Sequence, residues 1–373
     1  MAKDVLFEIG AEEIPAGYMP SLLEQFKTMA EAKLAEHRLS FGSIRTLGTP
    51  RRLALLINGV ADASEDLSER HKGPSVQIAY DKDGNPTKAA MGFARGKGVD
   101  VNDLVVEDGY IYAETTTAGV PAMKIFEEVL PQLLTGLSFP KSMHWADRDE
   151  KFVRPVRWLL ALLDTAVVPM EFAGVRASNF SRGHRFLGER GVLVQHPADY
   201  IKAMEDNFVI VDQDKRRAMI SEQLEALAKE HNATIVHDDD LLEEINFLVE
   251  YPTALCGGFA DSYLELPDAA VITPMKDHQR YFPLVDSEGK LLPLFLTVRN
   301  GDSHCLDVVQ AGNERVLRAR LDDAKFFFNE DRKKALAERS EGLKKIVFQE
   351  GLGNLADKTE RLLVLGEEFA EEC

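Results

Sequence analysis

A chain of 373 residues that is 45% hydrophobic and 28% charged has the balance of an ordinary globular protein and the length for roughly two to three domains. Its formal net charge of −18 argues against a nonspecific coat on DNA, and no apolar run approaches the roughly 18 residues that a membrane span requires. Cys256, Cys305 and Cys373 are odd in number and widely spaced, with no CxxC and no Cys/His pair at metal spacing, so neither a disulfide framework nor a structural zinc is supported.

The opening MAKDVLFEIGAEEIP has no apolar region of signal-peptide length, and a cytoplasmic protein is expected. DVLFEIG (4–10) reads as a strand. MPSLLEQFKTMAEAKLAE (19–36) is an amphipathic helix with Pro20 near its first turn. Residues 43–60 give two strand-like runs around GTPRR, with Arg51 and Arg52 at the turn edge. The acids Glu12 and Glu13 suit helix capping better than acid/base work. The polar segment 62–75 reads as a boundary. A strand is expected at 76–80, a turn at 81–86, and a short helix at 88–98 that exposes Lys88, Arg95 and Lys97. Strands at 99–118 and a helix at 119–137 follow. Both tryptophans then appear among basic residues, in FPKSMHW (139–145) and KFVRPVRWLLALL (151–163), and packing as core is their simpler reading.

SRGHRF (181–186) is a glycine turn flanked by Arg182, His184 and Arg185, where the backbone can approach a ligand closely. Two helices are expected over 198–231, the second charge-laced and solvent-facing, and another over 238–255 with an acidic first turn. TPMKDHQRYFPL (273–284) reads as a strand that gathers Lys276, His278 and Arg280 around Tyr281 and Phe282, and a hairpin through DSEG spans 283–298. GNERVLRARLDDAKFFFNEDRKK (312–334) is a helix: Leu317, Leu321, Ala324 and Phe328 form one apolar stripe, with Arg315, Arg318 and Lys325 beside it. Residues 335–373 read as helical throughout, interrupted only by Gly351 and Gly353, and the pattern stops as though cut from a longer chain.

No phosphate loop, no GxGxxG after a strand, no GxSxG elbow and no HExxH occurs, and GFARGKG (92–98) has its glycines in the wrong order. His144, His184 and His278 lack an adjacent Ser or Cys. What remains is a set of basic clusters on short rigid elements. Those are what phosphate contacts require, and aromatic faces beside them suit unstacked bases.

FEIGAEEIP (7–15), TPRRLAL (49–55), KGPS (72–75), AAMGFARGKG (89–98), FVRPVRW (152–158), GHRF (183–186), MKDHQRYFPL (275–284), the run 312–334 and FQEGLGNLADKTER (348–361) occur in that order. In these pieces, which span essentially the whole chain, the sequence resembles the β subunit of bacterial tetrameric glycyl-tRNA synthetase. The resemblance implies a subunit that binds tRNA(Gly) and is needed for glycyl transfer, while ATP, magnesium and glycine act in a separate α subunit. No cofactor or metal is therefore expected in this chain, and neither DNA nor membrane is an expected partner. The family's chains are about twice as long and continue through an HD-like helical domain to an anticodon-binding domain; the HD histidine–aspartate pairs are not in this stretch. Their middle resembles the B3/B4 module of phenylalanyl-tRNA synthetase, whose pocket hydrolyses mischarged tRNA.

The expected fold is α+β and multidomain. A small N-terminal α+β body (1–62), joined by the helix 312–340, precedes a central β-rich B3/B4-like module (63–311) with a helical insertion around 198–250, and then the start of an all-helical HD-like domain (335–373). The candidate tRNA contacts are Arg51, Arg52, Lys88, Arg95, Lys97, Arg182, His184, Arg185, Lys276, His278, Arg280, Tyr281, Arg315 and Arg318. A deacylase centred on His184 or His278 and a purely structural contact surface for the α subunit are the competing expectations.

Overall fold

The computed structural model describes residues 2–372, so Cys373 lies outside the described residues. The protein is α+β and multidomain, with several sheets and a helical C-terminal region. It divides into two compact units. The first holds the chain up to Glu222 with Asp239–Thr253 and Arg299–Asp302; the second holds Gln223–Asp238, Ala254–Val298 and the chain from Ser303 onward.

The first unit is organised by β1 (Lys3–Ala11), which pairs antiparallel with β3 (Arg52–Val60) on one side and β7 (Val156–Leu163) on the other. The full sheet runs β2 (Ser43–Thr49)-β3-β1-β7-β10 (Val175–Ser178)-β9 (Glu171–Phe172), with β8 (Ala166–Val167) beside β7. A period of two sends Val5, Phe7 and Ile9 to one face and Leu6, Glu8 and Gly10 to the other. The first face is covered by α1 (Met19–Glu36) and α4 (Ala122–Gly136), through Leu22, Phe26, Ala30, Ile125, Phe126 and Val129. Each large side chain buried there contributes about 1.5–3 kcal/mol. On the second face Leu6, Ala54, Leu56, Leu160 and Leu162 pack against Val192, Tyr200, Met204 and Val209, carried by β12 (Val192–Leu193), α5 (Tyr200–Glu205) and the segment after it. The same face becomes polar at one end, where Glu8, Gly10, Arg52 and Trp158 meet. β12 pairs with β11 (Phe180–Ser181), and the loop 182–191 between them hangs at that polar end.

A small sheet, β4 (Leu67–Ser75)-β6 (Tyr110–Thr117)-β5 (Val105–Glu107), carries α2 (Val76–Ala79) and α3 (Lys88–Lys97) over a core of Ala79, Ala90, Ala94, Ile111 and Ala113. Gly98, at φ 72°, ends α3 in the left-handed conformation that glycine adopts without strain. In α6 (Gln213–Glu230), Arg216 is fully buried and donates to three backbone carbonyls: Asn246 O at 2.8 Å, Ile210 O at 2.5 Å and Gly48 O at 2.9 Å. It ties α6 to β2 and to the end of α7 (Asp239–Asn246).

In the second unit the sheet order is β13 (Thr234–Ile235)-β15 (Phe282–Val285)-β16 (Leu291–Asn300)-β14 (Pro252–Gly258). α9 (Leu306–Arg332) buries Leu317 and Leu321 completely and Ala324 and Phe328 in part, against Val271, Met275, Tyr281 and Phe295. This is the stripe expected from the spacing. After α9 come α10 (Leu336–Arg339), a hairpin of β17 (Val347–Gln349) and β18 (Gly353–Asn354), and α11 (Leu355–Glu372).

Several local expectations are corrected. The polar segment at 67–75 is a strand paired with β6; it reads as a linker in sequence because its exposed Ser68, Arg70 and Lys72 lie at a sheet edge and give no apolar alternation. Residues 76–79 form a helical turn, not a strand. The helix expected over 238–255 stops at Asn246: Tyr251 precedes Pro252, a position biased toward extended backbone, and β14 begins there. Residues 273–280 are not a strand either. α8 (Asp268–Thr273) continues into a π-helical turn, Pro274–Gln279, and Arg280 closes it at φ 59°. The β17–β18 hairpin interrupts the helical reading of 335–373. β7, from the expected central module, is the sheet neighbour of β1, and the helix from 312 onward belongs to the second unit. Polar linkers are local signals, whereas strand pairing is decided by residues far apart in sequence.

Candidate functional site

The polar end of the main sheet is built around Trp158. Its ring lies across β1 because Gly10 opposes it; a Cβ at Gly10 would stand 1.9 Å from the indole. The indole N–H donates to Glu8 Oε1. Three guanidinium groups surround the ring, Arg182 at 5.0 Å, Arg52 at 5.4 Å and Arg51 at 5.5 Å from its centroid.

Arg52 is completely buried and neutralised. Its Nε and Nη2 lie 3.1 and 3.0 Å from Glu250 Oε1, and Nη1 lies 3.9 Å from Glu8. Burial alone would lower its pKa, but Glu250 and then Glu8 outweigh that and raise it. Burial would likewise push the Glu250 carboxyl up. Arg52, a hydrogen bond from Thr49 Oγ1 at 2.7 Å and Arg51 instead hold it low. Ser181 Oγ donates to the Glu8 carboxylate, 2.7 and 2.9 Å from its two oxygens. The sequence marks Arg52 as a tRNA contact; the geometry gives it an internal role.

Arg51 is 7% exposed and lines a cavity of about 470 Å³. Arg157, Arg182, Arg185 and Arg190 line the same cavity, against the carboxylates of Glu12 and Glu189. Glu12 is engaged by Arg157 at 3.4 Å and Arg185 at 2.7 Å, and Glu13 by Arg185 at 2.9 Å. Glu12 and Glu13 are therefore ion-pair partners of the cavity wall, not helix caps. Among the described residues, no carboxylate stands within ion-pair distance of Arg51, Arg182 or Arg190. Arg51 Nε is buried with no hydrogen-bond partner. Burial pulls the pKa of Arg51 down, and burial followed by Arg157 does the same to Arg182. Unmatched cations crowd one wall of the cavity, an arrangement that favours an incoming polyanion.

The loop 182–191 is held rigidly. Gly183 N donates to Glu189 O at 2.7 Å, Gly188 N to His184 O and His184 N to Asn207 O, both at 2.9 Å. A Cβ at Gly188 would stand 2.5 Å from Asn207 O, so only glycine allows this approach. Asn300 Oδ1 accepts from Glu250 N at 2.9 Å and Tyr251 N at 3.2 Å, which identifies it as the amide oxygen; His184 Nε2, 3.0 Å away, must then donate to it. Nδ1 accepts from Phe186 N at 3.4 Å. Burial keeps the ring's pKa below its usual value. With both nitrogens engaged in the neutral tautomer, His184 positions the loop and offers no lone pair for general-base chemistry.

The structure thus brings Arg51, Arg182, His184 and Arg185 together and adds Arg157 and Arg190. Lys88, Arg95 and Lys97 are exposed on α3, away from this cavity's lining. In the second unit Lys276 is held by Asp238, His278 is exposed and Arg280 donates to Asp277 O. Tyr281 is buried, stacked on Phe295 at 4.4 Å, and its hydroxyl donates to Asn313 Oδ1 at 2.8 Å, so its face is not open to a base. Burial pushes that hydroxyl's pKa up to about 12. Arg315 and Arg318 are exposed on α9, while Asp322 of the same helix accepts from Tyr263 Oη at 2.5 Å. Arg190 was readable in RGHRFLGERG as the third arginine of one glycine-rich loop. Glu250 and Asn300 carried no local signal.

Comparison with known proteins gives a consistent result. The glycyl-tRNA synthetase beta subunit family matches residues 5–373. The glycine–tRNA ligase beta subunit of Desulfitobacterium hafniense strain Y51 is 48% identical over 374 residues, covering 99% of this chain and 54% of that protein. Those of Natranaerobius thermophilus and Moorella thermoacetica are 46% and 48% identical over 372 and 366 residues, covering 98% and 97% of this chain and 54% and 53% of theirs. The chain spans about half the length of the curated relatives it matches.

Proposed function

The chain belongs to the glycyl-tRNA synthetase beta subunit family, and from that premise we propose that it is the RNA-holding part of a cytoplasmic glycine–tRNA ligase. In this reading an alpha subunit carries ATP, magnesium and glycine, and this chain holds tRNA(Gly) for glycyl transfer. The cavity of Arg51, Arg157, Arg182, Arg185 and Arg190 takes RNA phosphates.

The observation that carries the reading is the cavity itself, where Arg51, Arg182 and Arg190 line one site and no carboxylate among the described residues stands within ion-pair distance of them. A buried charge without a partner is unfavourable for folding. A bound phosphate would supply counter-charge to these cations, and guanidinium groups suit phosphate oxygens geometrically. The overall charge of −18 helps, by repelling RNA everywhere except at this basic cavity. A deacylase would need a base, and His184 has none to give.

The test is glycylation by the assembled ligase, with R182Q/R190Q in this subunit. The tRNA KM rises about tenfold or more while glycine-dependent pyrophosphate exchange is unchanged. An equal loss in both assays would contradict an RNA-specific role. Pyrophosphate exchange by this chain alone would contradict the assignment of adenylation to the alpha subunit.

A further inference from the structure

Phe186 is 85% exposed, an extreme for a phenylalanine, and it sits in the rigid loop 182–191 between the cavity residues Arg185 and Gly188. Its ring does little for the fold: its aromatic neighbour is His184, with ring centroids 6.2 Å apart and tilted. Its backbone, by contrast, is fixed, since Phe186 N donates to His184 Nδ1 and His184 is pinned by Asn300 and Asn207. A flat apolar face is therefore presented to solvent at a defined position, on the same loop that carries the cavity residues Arg182 and Arg190.

We infer that the cavity and Phe186 together take an unpaired nucleotide: its phosphate lies among Arg51, Arg182 and Arg190, and its base stacks on Phe186. This rests on the reading of the cavity as a phosphate site and adds the class of RNA that enters it. Duplex RNA offers phosphates, but its base faces are covered by neighbours in the stack; an unpaired base leaves a face free. A site built for duplex backbone alone would have no use for an exposed phenyl ring.

The experiment compares two probes, a short unstructured RNA and a blunt duplex containing the same strand, with wild type and the variants F186A, F186W and R182Q. F186A weakens single-strand binding about tenfold, the order expected for one lost base stack, and changes duplex binding less than about twofold. Its salt slope stays at the wild-type value because no phosphate contact is lost, and F186W restores affinity. R182Q weakens both probes and lowers the single-strand salt slope by roughly 0.7. A silent F186A with an affected R182Q overturns the stacking and leaves the phosphate reading standing; if both are silent, both readings fall. Equal loss on both probes, or weaker association with the partner subunit at unchanged RNA affinity, also overturns the inference. An unchanged Tm confirms that each variant folds.

Discussion

Arg51 and Arg52 are consecutive in sequence and lie within 0.1 Å of the same distance from the Trp158 ring, yet they inhabit opposite electrostatic worlds. Arg52 enters β3, points to the buried face of the sheet and is matched by Glu250 and Glu8. Arg51 stands one residue before the strand, feels Glu250 only through space, and among the described residues has no carboxylate within ion-pair distance. The Trp158 indole touches both a closed ion-pair network that serves the fold and a cavity lined by cations without ion-pair partners among the described residues. The difference teaches that a basic residue's role is read from what neutralises it, since sequence position and exposure alone would have grouped the two.

The largest expected effect lies on the closed side. R52M leaves Glu8 and Glu250 buried without their cation and should cost about 3–5 kcal/mol in urea unfolding; a loss below about 1 kcal/mol would erase the distinction. R216M strands three carbonyls and should cost about 3 kcal/mol or more by the same measurement. On the open side, R182Q/R190Q should leave stability within about 0.5 kcal/mol of wild type. The same change should lower tRNA affinity about tenfold or more and reduce the salt slope by roughly one to two.

The pH dependence sharpens the comparison further. Burial holds His184 below its ordinary pKa of 6.5, so the unfolded chain takes up a proton that the folded chain refuses. Its stability contribution is complete above about pH 6.5 and declines as the pH falls toward the folded-state value. The depressed Glu250 acts in the same sense at lower pH, complete above its ordinary 4.5 and lost as the pH falls through its folded-state value. Thermal unfolding between pH 7 and 5 should show H184Q with a flatter stability profile than wild type; an unchanged profile would mean that His184 titrates normally. The smallest effect is expected at K97A on exposed α3, within about 0.5 kcal/mol of wild-type stability.

How much of this was legible beforehand follows from the range of the interactions. The stripe Leu317, Leu321, Ala324 and Phe328 predicts α9 because helical packing repeats locally. The short apolar run in DVLFEIG reads as the strand β1 from local sequence as well. GHRF marked the loop, since glycine at a close approach leaves a local trace. The partition of Arg51 from Arg52 left none. It depends on Glu250, 198 residues away from Arg52, and on Asn300, which lies 116 residues beyond His184. Arg216 sat in a segment whose charge read as solvent-facing, and only the convergence of three carbonyls gives it a buried place. Tyr281 likewise read as a stacking surface until Phe295, on the paired strand β16, covered it.

The most direct test is R51M, measured for both stability and tRNA binding. Replacing an unmatched buried cation with an apolar side chain should leave urea-unfolding stability unchanged or raise it by about 1 kcal/mol, while tRNA affinity and its salt slope fall. A destabilisation comparable to that of R52M with unchanged tRNA affinity would contradict the account, because Arg51 would then serve the fold as its neighbour does.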